Sequence, residues 1–188
     1  MMQQSLLDRF DSSIPDTQSL SIEIIPQASD NQWYILHHYL HSGVNGLTLD
    51  YGINLGSHRI GCISFSYPLW VVKNGLVPPY KNGEVVNLAR ICFGPILNGI
   101  PAQALELIFK RIKVDWLLAS VHECKVIIAY NNPLKAPAEQ EIYMQCGFKV
   151  WGRSTHKKSN KLSEGHPEFN KQKTRYIYIK SLEKEWGK

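Results

Sequence analysis

The segment from Cys124 to Phe148 constrains this chain more than any other. Val126-Ile-Ile-Ala-Tyr130 is a short apolar run rich in β-branched residues, the pattern of a buried strand. It ends in the polar pair Asn131-Asn132, and Pro137 then opens a short helix that carries Tyr143. Gly147 closes that helix and Phe148 begins another strand. Strand, loop, helix and strand in so few residues point to a sheet covered by helices.

The rest of the chain fits the same plan. Leu20 to Ile25 alternates and reads as a first strand closed by Pro26. Ser29 or Asp30 can cap a helix through Trp33, Leu36, His37 and Leu40, with Gly43 as its stop. Leu47–Asn54 and Arg59–Phe65 form two strands across the turn Leu55-Gly-Ser-His58. Trp70 to Gly83, with Gly75 and Pro78-Pro79, is an irregular excursion, and Glu84–Phe93 is a strand. Pro101 suits the first turn of a helix whose apolar face is Ala104, Leu105, Ile108 and Ile112, reaching Lys113 or beyond. Phe148–Gly152 and Thr174–Ile179 are the last strands. The expected class is α/β, more closely an α+β mixed sheet, with helices on both faces.

At 188 residues this is the length of one domain (19–188) behind a loose arm (1–18). No run of eighteen apolar residues exists and the first ten residues lack a secretory pattern, so no membrane partner is expected. Cys62, Cys92, Cys124 and Cys146 are too evenly scattered for a zinc site or a disulfide framework, and read as buried thiols in a reducing cytoplasm. The net charge of +5 is concentrated. Between Lys149 and Lys180 nine basic residues face only Glu164 and Glu168, which defines a basic loop at 153–173. Such a segment suits a polyanion, or is simply a solvated loop. Lys157, Lys158, Lys161, Lys171, Lys173 and Arg175 are the candidate contacts to nucleic-acid phosphates.

Several residues carry chemistry on their own account. Arg90 stands inside an apolar strand, where a guanidinium needs an anion: a substrate or donor group, or an ion pair with Glu84 or Glu123. His37 and His41 share a helix face at i, i+4, but no HExxH-type carboxylate accompanies them and no metal is expected. Asp50 is either a base for an amine or a surface charge. Tyr130, at the end of a strand, could stack on a base or bind a donor, or be an ordinary strand-end tyrosine. Tyr67, Trp70 and Tyr80 could hold a base taken out of the stack or form a small satellite core. Tyr143 is either a phenol facing a cleft or a core aromatic. Gly94 and Gly99 precede a helix whose free N–H groups could hold an anion.

The helix ending in Tyr143-x-x-x-Gly147-Phe148, and the order of elements from residue 20 onward, resemble the acyl-CoA-dependent N-acyltransferase (GNAT) fold. That resemblance implies a splayed sheet, a thioester in the cleft, and Tyr143 protonating the departing thiolate. A narrower resemblance is to the phage Mom family. It rests on His37-His-Tyr-Leu-His-Ser-Gly43, Leu49-Asp-Tyr-Gly52, Ile60-Gly-Cys-Ile-Ser-Phe-Ser66, Asn87-Leu-Ala-Arg-Ile91, Tyr130, Tyr143 and Lys173-Thr-Arg-Tyr-Ile-Tyr178. It implies modification of the exocyclic amine of adenine in DNA, protecting phage DNA from restriction in the cytoplasm of a bacterial host. It also implies a possible homodimer. His38 and Tyr39 would then line the acceptor pocket, Arg90 would act in catalysis, and Asn98, Gly99, Gln103, Tyr130 and Asn131 would hold acetyl-CoA or another activated acyl donor. Here the family's Tyr-Ala-Asp is Tyr130-Asn131-Asn132, and an amide cannot serve as a base. Gln103 or Ala104 stands near the place of the family's cofactor-loop serine. Two other readings belong beside this one: an ordinary acetyltransferase of a small amine or protein, and a catalytically silent DNA-binding or host-inhibiting protein.

Overall fold

The computed structural model describes residues 19–38, 40–68, 77, 79–94, 99–131, 136–155 and 174–183, with the backbone alone at 153–155, 174 and 175. Its elements are β1 (Leu20–Ile24), α1 (Gln27–His37), β2 (Thr48–Leu55), β3 (His58–Ser66), β4 (Val85–Phe93), α2 (Ile100–Phe109), α3 (Ile112–Ser120), β5 (Val126–Asn131), α4 (Pro137–Gln145), β6 (Lys149–Thr155) and β7 (Thr174–Ser181). The strands form one sheet in the order β1-β2-β3-β4-β5-β7-β6. Among the described strands only β4 and β5 run parallel; every other neighbouring pair is antiparallel. The expected arm at 1–18 and residues 156–173 of the expected basic loop lie outside the described residues. Residues 153–155, placed in that loop by the sequence, belong to β6.

Alternation along the strands assigns the two faces. Tyr51, Ile53, Ile63, Phe65, Val86, Leu88, Ile127 and Ala129 turn to one side and pack on Leu105 and Ile108 of α2, Trp116 of α3 and Tyr143 of α4. Cys62 and Cys92 turn to the other side and meet Tyr34 of α1. Helices therefore cover both faces. Burying each of the larger aliphatic side chains contributes about 1.5–3 kcal/mol.

Three expectations need correction. Neither Ser29 nor Asp30 caps α1. The helix starts at Gln27 directly after Pro26, and Asp30 lies in its first turn with its side chain buried against the sheet. The same helix stops at His37, before Leu40 and Gly43, so His37 and His41 do not share a helix face. The helix expected to run from Pro101 past Lys113 is two helices, because the chain turns at Lys110-Arg111. Arg111 there binds Asp115 through Nε (2.5 Å) and Nη2 (3.2 Å). Asp115 also accepts from the Tyr51 hydroxyl at 2.7 Å, and the Trp116 indole donates to the Gly83 carbonyl at 3.0 Å. These bonds fix α3 at an angle that lets Ile112 and Trp116 bury in the same core as α2.

Two local devices position the centre of the sheet. Across β3 and β4, Ser64 pairs with Arg90 and Phe65 with Leu88, so Ala89 is an extra residue in β4. Such a bulge bends the strand that carries it. Across β4 and β5, pairing covers only Val85–Leu88 against Val126–Ala129. Beyond the bulge β4 continues to Phe93 and β5 to Asn131 without pairing to each other, and a wedge opens between them.

Candidate active site

The wedge is walled by the far halves of β4 and β5, and polar side chains gather around it. Asn131 ends β5 fully buried, and neither atom of its amide has a hydrogen-bond partner. Arg90 stands on β4 just past the bulge. Its Nη1 donates to the Ala89 carbonyl at 2.9 Å, while its buried Nε has no partner. Buried donors and acceptors left unpaired cost about 1–3 kcal/mol each, so their accumulation at one place marks a site that something else completes. Glu84 does not pair with Arg90: its carboxylate binds Lys125 at 2.9 Å.

The C-terminal helix is locked to this wedge by its own ending. Gly147 takes a left-handed conformation (φ 76°), its N–H bonds the Met144 carbonyl at 3.0 Å, and the Phe148 N–H bonds the Tyr143 carbonyl at 3.0 Å. This pair of bonds is a Schellman motif, which favours glycine because the required φ strains any residue with a Cβ. The motif brings the Phe148 ring to 5.4 Å from the Tyr143 ring, and Tyr178 of β7 stands 5.2 Å away on another side. The Tyr143 ring is thus buried in the core, while its hydroxyl reaches the Glu139 carboxylate one turn earlier at 3.4 Å.

Glu139 was not singled out from the sequence. Burial pushes its carboxyl up to about 7, partly opposed by the Tyr143 hydroxyl and the positive charge of Arg90. Its charge is also felt at Cys92, on the same strand as Arg90. The i, i+4 spacing of Glu139 and Tyr143 was the available signal, since it places both on one face of a helix.

His38 follows α1 and is almost fully buried, with Nδ1 accepting from the Leu40 N–H at 3.1 Å. Burial first, then the charges of Arg90 and His41, lower its pKa to about 4, so the ring is neutral near pH 7. The positive charge of Arg90 lowers the pKa of both His38 and Glu139, and Glu139 in turn accepts from the Tyr143 hydroxyl.

Asp50 occupies a different setting. It accepts from Thr48 Oγ1 and Ser64 Oγ, both at 2.5 Å, and is almost fully buried. Ser64 also contacts Asp30, and the Tyr34 hydroxyl donates to Ser64 at 3.0 Å. Asp50, Ser64 and Arg90 are cross-strand neighbours in one row, so this network lies directly behind Arg90.

Gly99 caps α2 with φ 81°, and the Gln103 N–H bonds its carbonyl at 3.1 Å, so both stand at the helix end that follows β4. Tyr130 is half-buried and packs beside Val126 and Ile128, on the opposite face from Ala129. Tyr67 and Tyr80 are drawn into packing. Tyr67 lies edge-on to Trp116 at 5.1 Å, and the Tyr80 hydroxyl binds Glu183 at 2.9 Å. Tyr39, Trp70, Asn98, Asn132, Lys157, Lys158, Lys161, Lys171 and Lys173 lie outside the described residues, as does the side chain of Arg175. All four cysteines are buried and free, and burial raises each thiol. Among the described residues no group of three or more His, Cys, Asp or Glu could hold a metal ion. No described helix is long and apolar enough to cross a membrane.

No protein-family model matches the chain, and no curated protein matches it by sequence. Solved structures do. An acetyltransferase of the GNAT family from Streptococcus pneumoniae superposes with a TM-score of 0.56 at 11% identity, covering 87% of this chain and 99% of that one. The fold is that of the GNAT N-acetyltransferases. An IAA acetyltransferase from Bacillus cereus gives 0.53 at 13% identity, over 87% and 99% of the two chains. A Bacillus subtilis acetyltransferase in complex with CoA gives 0.51 at 13%, again over 87% and 99%. At identities this low the likeness is one of fold, and the parting of β4 and β5 after four paired residues is read from this chain itself.

Proposed function

We propose that this protein is an N-acyltransferase that takes an acyl group from acyl-CoA and passes it to an amine. The observation that carries the reading is the wedge itself: two strand edges that part after Leu88 and Ala129, with the orphaned Nε of Arg90 on β4, the orphaned amide of Asn131 on β5 and the Tyr143–Glu139 pair on α4. The residues fit such a donor. Free backbone groups of β4 and β5 can bond the amides of an extended pantetheine arm, and Asn131 offers one further donor and acceptor. The N-terminal end of α2 presents backbone N–H groups and a positive dipole end to a pyrophosphate. That one similar structure holds CoA agrees with this choice of donor.

The reaction class is acyl transfer. The amine must be held neutral and close to the thioester carbonyl, and backbone N–H groups of the wedge would stabilise the charge that develops on its oxygen. Tyr143 is the group we assign to protonating the leaving thiolate. Arg90 favours any anionic part of donor or acceptor, and His38, neutral, offers a ring edge without charge. Adenine in DNA, the acceptor implied by the Mom resemblance, is one amine among those the site could take. Nothing among the described residues selects it over others.

Acetyl-CoA should raise the thermal transition of the protein, and turnover should release CoA with a primary amine acceptor. The acceptors to compare are a polyamine, an aromatic amine, a short peptide with a free N-terminus, and duplex DNA. Tyr143→Phe should lower kcat by about 100-fold or more while leaving acetyl-CoA binding intact. Absence of any acetyl-CoA binding at millimolar concentration would refute the proposal. A mass increase on deoxyadenosine from the DNA arm alone would assign the acceptor to adenine.

A further inference from the structure

The face of the sheet beneath α1 carries two cross-strand rows of polar side chains, Thr48–Ser66–Asn87 and Asp50–Ser64–Arg90. Along the strands the next pair is Cys62 and Cys92, packed on Tyr34. Within the rows, hydrogen bonding is met on β2 and β3 and runs out on β4. Asp50 accepts from Thr48 and Ser64, and Asn87 Nδ2 donates to Ser66 Oγ at 3.4 Å. On β4, which borders the wedge, two atoms are left over. Asn87 Oδ1 and Arg90 Nε are both shielded from water, and neither has a hydrogen-bond partner among the described residues.

One of these atoms is an acceptor and the other a charged donor. Arg90 forms no ion pair among the described residues. Glu139 feels its charge, but burial holds that carboxyl up to about 7, and His38 beside Arg90 is neutral near pH 7. Ile128 pairs with Asn87 across the seam, and Tyr130 follows on the same face of β5. The side opposite the two orphans is therefore apolar and aromatic.

We propose that Asn87 and Arg90 select the acceptor, and that this acceptor is an amine with a carboxylate a few bonds from its nitrogen, of the amino-acid class. The proposal rests on the acyltransferase reading above and names its substrate. A shielded acceptor without a partner calls for an N–H, and a shielded guanidinium N–H calls for an anion. A planar carboxylate matches the guanidinium fork, and the substrate's own amine can donate to Asn87. In the transfer the nitrogen lone pair forms the C–N bond to the acyl carbon, the C–S bond breaks, and the proton lost from nitrogen ends on sulfur. The products are an N-acyl amino acid and the free thiol of CoA. Asn87 and Arg90 hold the acceptor and exchange no proton with it.

The test uses the full-length protein and acetyl-CoA. Each standard amino acid is offered as acceptor, and the best of them is then compared with its decarboxylated amine and its methyl ester. Release of CoA by the wild type should favour the acid by about 100-fold in kcat/KM over both. Arg90→Gln should reduce that preference to within about threefold, whatever activity it retains. Asn87→Ala should lower kcat/KM for acid and amine alike by about 10-fold, with their ratio kept. Independently of turnover, the Arg90 Nε–H resonance, assigned by its loss in Arg90→Gln, should shift when the amino acid is added to the wild type and stay in place with the decarboxylated amine. Equal use of acid, ester and amine by the wild type, or a preference for the acid that survives in Arg90→Gln, overturns the proposal and leaves the acyltransferase reading standing. Turnover confined to a polyamine or to duplex DNA does the same. Wild-type protein that neither binds acetyl-CoA nor acylates any amine sinks the acyltransferase reading. The carboxylate site is then decided by the resonance, and an Nε–H signal unmoved by every amino acid overturns it.

Discussion

Asp30→Asn should remove one loss of stability that the wild-type protein suffers as pH rises from about 4 to 7. Asp30 is fully buried under α1, where Ser64 contacts it and Asp50 lies beside it. Burial raises its carboxyl from 3.8 to about 7, the Asp50 charge adds to the rise, and the bond from Ser64 opposes it. Burial, with the charge of Asp50 beside it, is why a proton on Asp30 is favoured in the folded chain. In the unfolded chain Asp30 ionises near its ordinary value. The folded state therefore binds the extra proton between those two values, and stability falls as pH rises from about 4 to 7. At about 1.4 kcal/mol for each tenfold change, this single group accounts for about 4 kcal/mol across that window. Other groups titrate in the same range. Glu139 acts in the same direction, while His38, with its pKa lowered, acts in the opposite one. The measurement is therefore the difference between variant and wild type, from urea unfolding at a series of pH values. Asparagine keeps the acceptor for Ser64 and cannot ionise, so its stability relative to wild type should climb by about 4 kcal/mol between pH 4 and pH 8. A difference that stays flat across that range would refute a protonated Asp30 in the folded protein.

Other substitutions test separate parts of the argument. Asn131→Leu removes two buried polar atoms without partners, and should leave stability unchanged or raise it by about 1–2 kcal/mol in thermal unfolding. The same variant should weaken acetyl-CoA binding, and a loss of stability with unaltered binding would contradict its placement at the donor site. Val121 closes α3 in a left-handed conformation (φ 59°) while 82% exposed, so Val121→Gly should stabilise the protein by about 1 kcal/mol by relieving that strain. Gly61→Ala would set a Cβ 2.6 Å from the Phe93 ring and 2.9 Å from the Cys92 carbonyl, and should cost about 1–3 kcal/mol in urea unfolding.

The sequence was most legible where one physical rule acted alone. Alternation, apolar runs and turn residues together placed every strand within a few residues of its observed ends, and the Gly147 stop located the end of α4. Where a tertiary contact overrode a local preference, reading failed. Asp30 has the chemistry of a helix cap, yet the sheet beneath α1 supplies Ser64, and the carboxyl turns inward. Leu36 to Leu40 continues a helical pattern that His38 interrupts by bonding the backbone of Leu40 through its own ring. Arg111 sits inside an apolar period that predicts one helix, but its bond to Asp115 belongs to a second. At the site, Arg90 was visible as a charge inside an apolar strand, while His38 and Tyr143 were marked by family resemblance. Glu139 was not, because a glutamate on a short amphipathic helix is unremarkable until its burial beside Arg90 is known.

Only four consecutive residue pairs hold β4 and β5 together before the sheet divides. The two flanks of the molecule are thus joined at mid-sheet by a short seam, with dangling amides on either lip. An occupant that spans those lips would finish a ladder the chain leaves incomplete. Its arrival would be felt as a stiffening that runs from the hairpin of β2 and β3 across to β7.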